Sequence, residues 1–166
     1  MIKVLFETHH LYYIPNFLPI VEEFKNRGKY DIYFSIPQHI NKKEKDLFSL
    51  ACKDLGLNTI DADDEELRIK KILNENFSII LVANVGQITK IASDNTLTVM
   101  VYHGIGLKQS YYNDIDDRID IRSVESESRY QKLLIQSNSA DLALTGFTKI
   151  DPLYTANEKA NKRLKD

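Results

Sequence analysis

Of 166 residues, one is cysteine and none is tryptophan, and no apolar run reaches the ~18 residues that a membrane-spanning helix requires. A single cysteine, Cys52, excludes an internal disulfide; it falls in a helical stretch and reads as a buried, inert thiol suited to a reducing compartment. Charge of one sign is also missing. With 22 basic against 24 acidic residues the net charge is −2, so nothing in the total points to a nucleic-acid partner. The start, Met1 to Phe6, is too short for a signal-peptide apolar region. The expectation is a cytoplasmic protein, with any membrane contact peripheral and made by other parts of the molecule. No G-x-G-x-x-G follows the first apolar run; His9 and His10 stand near where its glycines would fall, which argues against a nucleotide held there in the common Rossmann manner. These histidines are adjacent and have no third ligand at a recognisable spacing, so no metal site is expected.

What is present is a chain 43% hydrophobic, enough for one domain with a sizeable core and too short for two of ordinary size. Apolar runs at Ile2–Glu7, Tyr30–Ile36, Leu57–Ile60, Phe77–Val82, Leu97–Tyr102, Ile119–Val124 and Ala140–Thr145 read as six or seven strands. Between them lie helical patterns. One carries Pro15 and Pro19 near its start and stops at Gly28; another runs from Lys42 to Leu55 behind Asn41 as cap. A third follows the acidic run Asp61–Glu66, which reads as a solvated helix cap. A short helix follows Asn84-Val85-Gly86, and a last one spans Ser126–Gln136. Strands alternating with helices predict a Rossmann-like α/β domain, a parallel sheet flanked by helices, over residues 1–156. Residues 157–166 are basic and polar and read as a tail or the start of a linker.

The chain organises itself around Thr98 to Tyr112. A β-branched run stops at His103, and Gly104, Gly106 and Lys108 follow before Tyr111 and Tyr112. Open α/β sheets bind ligands beyond the carboxyl ends of their strands, so His103 would face a crevice whose glycines admit a ligand to the backbone. The alternative is a turn in which the glycines supply positive φ and His103 only ends the strand. Glu7, at the end of the first run, would orient a histidine or an acceptor hydroxyl, or else be satisfied by backbone donors. His9 and His10 point to opposite faces of an extended segment, so at most one of them, His10 among the candidates, lines the cleft.

Three ordered stretches, Phe6-Glu7-Thr8, Tyr102-His103-Gly104-Ile105-Gly106-Leu107-Lys108 and Gly146-Phe147-Thr148-Lys149-Ile150-Asp151-Pro152-Leu153, resemble signatures of the CDP-glycerol glycerophosphotransferases, the teichoic-acid primases and polymerases. Members of that family carry Phe-Glu-Ser, Trp-His-Gly-Thr-Pro-Leu-Lys and Gly-Tyr-Pro-Arg-Asn-Asp-Leu in this order. Here Tyr102 replaces tryptophan, Ile105-Gly106 replaces Thr-Pro, and Thr148-Lys149 replaces Pro-Arg. The resemblance implies the N-terminal, acceptor-side half of a GT-B enzyme, inactive without the C-terminal donor-binding domain. It implies transfer of glycerol phosphate, or a related polyol phosphate, from a CDP-activated donor to a hydroxyl of a lipid-linked or saccharide acceptor, with no metal and no further cofactor. His103 would be the base. Gly104 and Gly106 would donate backbone N–H groups to phosphate, Lys108 would supply a point cation, and Lys149 would take the place of the family's arginine. Two other readings remain: a GT-B glycosyltransferase or nucleotide-sugar epimerase relative, and a non-catalytic flavodoxin-like binding domain.

Overall fold

The computed structural model describes residues 1–104, 117–136, 140–154 and 156. Seven strands, β1 (Ile2–Glu7), β2 (Tyr30–Ser35), β3 (Asn58–Ile60), β4 (Ile79–Val82), β5 (Leu97–Met100), β6 (Ile121–Val124) and β7 (Asp141–Leu144), form one sheet in the order β3-β2-β1-β4-β5-β6-β7. Every pairing is parallel, with Val4 opposite Ile32 on one side of β1 and opposite Ile79 on the other. Except for β1, the strands are shorter than the apolar runs that predict them. Val101 N still bonds the Val82 carbonyl at 2.8 Å, but Tyr102 has left the ladder, so His103 belongs to an exit loop rather than a strand end.

The helices start where side chains take over their first N–H groups. Asn41 Oδ1 accepts from Glu44 N ahead of α2 (Lys42–Asp54), and Asp64 Oδ1 accepts from Leu67 N ahead of α3 (Glu65–Glu75). Ser126 caps α5 (Glu127–Ile135) in the same way. Helix α1 (Ile14–Arg27) ends at Gly28, whose φ of 65° is the left-handed conformation a glycine adopts without strain. Helix α4 (Ile88–Ile91) is a single turn.

Helices α1 and α2 cover one face of the sheet, where Phe6 stacks on Phe34 (centroids 4.9 Å) and meets Phe17 edge-on at 5.1 Å. Helices α3 and α4 cover the other face over Leu5, Ile80, Val82 and Met100. Burying each of these large side chains contributes about 1.5–3 kcal/mol. On the α1 face the β4–β7 half of the sheet forms an apolar trough of about 380 Å³ between Phe24 and Ile20 of α1 and the strand residues Leu81, Val99, Ile121 and Ala143. Among the described residues no helix is long and apolar enough to cross a membrane.

Candidate functional site

In this strand order β1 and β4 meet at the point where the chain reverses its direction of travel across the sheet. The two strands stay paired to their last residues, Glu7 opposite Val82, and the connections that follow leave in opposite directions, the place where open α/β sheets bind ligands. The exits converge on it. β1 leaves through Thr8-His9-His10 and a 3-10 turn, Leu11–Tyr13; β2 leaves through Pro37-Gln38-His39; β4 through Ala83-Asn84; and β5 through Tyr102-His103. All four histidines of the chain therefore gather at one edge of the sheet. The His10 ring lies 5.2 Å from His39 and 6.1 Å from Tyr13, and His9 lies 5.9 Å from His39.

His103 is held on two sides. Its Nδ1–H donates to the Ala83 carbonyl at 2.9 Å, and its ring stacks on Tyr13 at 4.6 Å with 23° between planes. A carbonyl only accepts, so this bond fixes the tautomer in which Nε2 carries the lone pair, the form a general base requires. Tyr13 is itself buried, and its hydroxyl accepts from Asn84 Nδ2 at 3.3 Å. The preceding residue, Tyr102, is pinned by two buried arginines, with Arg129 4.1 Å and Arg122 5.4 Å from its ring centre. Cation–π contacts in so dry a setting are worth ~2 kcal/mol or more each, which anchors the loop carrying His103.

Beneath the histidines lies a buried ion-pair network. Arg68 Nη1 reaches both carboxylate oxygens of Glu7, at 2.9 and 2.8 Å, and also bonds Ser35 Oγ. Arg68 Nη2 meets Glu65 at 2.5 Å, and Gln87 Nε2 donates to the same Glu65 oxygen at 3.0 Å. Burial by itself would favour a neutral guanidine. Glu65 and Glu7 more than offset it, and the Arg68 pKa is raised. Burial pushes Glu7 above the usual carboxylate range against the pull of Arg68, whereas the hydrogen bond from Arg68 holds Glu65 below it. Arg68 thus ties β1 and β2 to α3, and Glu65 extends the network to Gln87 ahead of α4.

His9 is the tightest fit of the cluster. A Cβ built on Gly86 would fall 2.3 Å from His9 Nε2 and 3.2 Å from Asn84 Oδ1, so only glycine lets the imidazole lie against the β4 exit, and the φ of 51° there also favours glycine. Both of those polar atoms are buried without a hydrogen-bond partner among the described residues. Burial first, and then the charges of His39, Arg68 and His10, lower the His9 pKa from 6.5 to about 4. A histidine kept neutral by the fold contributes stability that is fully present above its unfolded-state pKa. That contribution is lost as pH falls, because the unfolded chain takes up the proton first. The advantage of the native protein over His9→Gln in urea unfolding should therefore shrink between pH 6.5 and about 4. A constant difference across that window would refute the assignment.

The expected site residues separate into groups. His103, Glu7 and His10 come to one edge with Gly104, which is half-buried beside His103. The described contacts of Glu7 all face inward, to side-chain rather than backbone donors. The two adjacent histidines diverge as expected: His9 turns in against Gly86, and the His10 side chain is 38% exposed. Lys149 is exposed on the Thr148–Ile150 turn, which is tied to α1 by the Thr148 hydroxyl donating to the Asn16 carbonyl at 2.6 Å. Gly106, Lys108, Tyr111 and Tyr112 lie outside the described residues. Sequence reasoning missed Arg68, His39, Glu44, Asn84 and Gly86. His39 alone carried a usable signal, since like the other histidines it closely follows a strand. Among the described residues no group of three or more His, Cys, Asp or Glu is arranged to hold a metal ion. Compared with known proteins, the chain matches no family model and no curated protein.

Proposed function

We propose that this chain is the acceptor-side domain of a transferase that moves glycerol phosphate, or a related polyol phosphate, from a CDP-activated donor to an acceptor hydroxyl, with His103 as general base. The observation that carries the reading is the Nδ1–H bond from His103 to Ala83 at the carboxyl edge of the sheet, which commits Nδ1 as the donor and makes Nε2 the basic nitrogen of the ring. Phosphoryl transfer asks a protein for positioning, charge stabilisation and a base for the attacking hydroxyl. In this reading His103 takes the hydroxyl proton as the oxygen attacks phosphorus and CMP departs. Gly104 and Gly106 offer N–H donors, and Lys108 and Lys149 offer cations to the phosphate oxygens. The three ordered sequence stretches and their separation support the choice of donor. The apolar trough over β4–β7 supports a domain that works as part of a larger molecule, since parallel sheets are ordinarily covered on both faces. A second domain would bind the donor, the acceptor would be lipid-linked or saccharide, and the setting would be the cytoplasmic face of a membrane.

The test is CMP release from CDP-glycerol by the full-length protein, with and without a lipid-linked or saccharide acceptor. Acceptor-dependent release is the expected result. Its absence with every polyol and sugar acceptor overturns the glycerophosphate reading and leaves other donors, or a binding role, in its place.

A further inference from the structure

The first turn of α2 departs from its own local pattern. Asn41-Lys42-Lys43-Glu44 has the spacing of a capping box, in which the side chain of the fourth residue turns back to the backbone N–H of the first. Only half of the box forms. Asn41 Oδ1 accepts from Glu44 N at 3.0 Å, but the Glu44 carboxylate reaches across to the exit of β1. There a single oxygen, Oε1, accepts from Leu11 N at 3.1 Å and from His10 Nδ1 at 3.3 Å. The carboxylate has no proton to give, so His10 is the donor, and Nδ1–H is the tautomer the contact selects. The ring is further clamped by Tyr12, stacked at 5.3 Å with 13° between planes, and by His39, perpendicular to it at 5.2 Å.

His10 thus repeats the arrangement of His103 on the other side of the tyrosine pair. Tyr13 stacks on His103 and Tyr12 stacks on His10, and each imidazole has its Nδ1–H committed to an acceptor on a neighbouring element. Each tyrosine ring also reaches the other histidine, Tyr13 at 6.1 Å from His10 and Tyr12 at 6.4 Å from His103, so the two imidazoles flank one aromatic pair. We propose that Glu44 is a positioning residue that turns His10 Nε2 outward as a hydrogen-bond acceptor for a second hydroxyl of the acceptor, so that the crevice recognises a polyol or sugar by two hydroxyls rather than one. This deepens the transferase reading and rests on it for the identity of the bound molecule. The hydroxyl subsite itself can be measured without turnover.

Long-range proton–nitrogen NMR of the four imidazoles reads both parts. His10 should be the Nδ1–H tautomer in the native protein, and titration with glycerol should move its Nε2 and ring-proton signals saturably. Glu44→Ala should mix the tautomers and raise the apparent Kd for glycerol about tenfold, the value of one well-formed hydrogen bond. Glu44→Gln, whose amide oxygen can accept from both Leu11 N and His10 Nδ1, should restore the tautomer and keep binding within about threefold. Helix α2 remains capped by Asn41 in both variants, and circular dichroism checks that each is folded. An Nε2–H tautomer in the native protein, glycerol binding unchanged by Glu44→Ala, or a His10 response to inorganic phosphate but not to glycerol would each overturn the proposal. A protein that binds glycerol at His10 yet releases no CMP would keep the subsite and discard the transferase.

Discussion

His103→Ala is expected to lower acceptor-dependent CMP release by ~10²–10⁴, the usual cost of removing a general base, while leaving a folded protein. The ring is one layer of a stack on Tyr13 at the mouth of the crevice and carries no part of the sheet core, so its loss does not undo β5. Native-like circular dichroism together with unimpaired release would remove His103 from the chemistry. A rise in the KM for the acceptor with kcat unchanged would make it a binding group. The informative companion is the pH profile of kcat/KM, because a base used in its neutral form imposes a loss of rate on the acid side that the alanine variant lacks.

The second large effect is on stability. Arg68→Ala leaves the Glu7 carboxyl buried without the guanidinium that touches both of its oxygens. Removing one partner of a buried pair costs about 3–5 kcal/mol, and for a chain of this size that is a fall in Tm of roughly 10 °C. Glu7→Gln introduced with Arg68→Met should recover part of the loss, because both charges are gone and the methionine fills apolar space. Thermal unfolding followed by circular dichroism decides it. A change under about 1 kcal/mol in Arg68→Ala would mean that the network is not held as described. A double variant less stable than Arg68→Met alone would mean the same. Because Arg68 also reaches Glu65 and Ser35, the variants should loosen the floor beneath His9, and signals of that histidine will report it.

The fold was legible because its signals are local. Runs such as Ile79–Val82, caps such as Asn41 and Asp64, and the stop at Gly28 each depend on a few neighbouring residues. Where the runs overshoot the strands, apolar residues are still buried but no longer paired: Phe77 and Ile119 fill the core from outside the ladder, and Tyr102 leaves it to meet Arg129. Of the residues gathered at that edge, the sequence singles out those that stand at or just past a strand's end, Glu7, His10, His103 and Gly104. Arg68 reads as an ordinary surface residue of an amphipathic helix, one turn from Glu65, and nothing local says that it crosses 61 positions to Glu7. Glu44 reads as half of a cap. Gly86 reads as a turn, and the constraint on it comes from an imidazole 77 residues earlier in the chain. Such residues are specified by what the topology brings to them, and the order of the strands must be known first.

The lone thiol is a kinetic probe of helix α2. Cys52 sits fully buried on α2, the helix that also carries Glu44, and burial pushes its pKa up to about 12. In the closed protein it is both shielded and almost wholly protonated, so an alkylating reagent reacts only through openings that lift α2, with its Phe48, from Phe34 of β2. Its modification rate is a clock for that one motion. Because α2 holds His10 in place through Glu44, the same clock times how often the hydroxyl subsite comes apart.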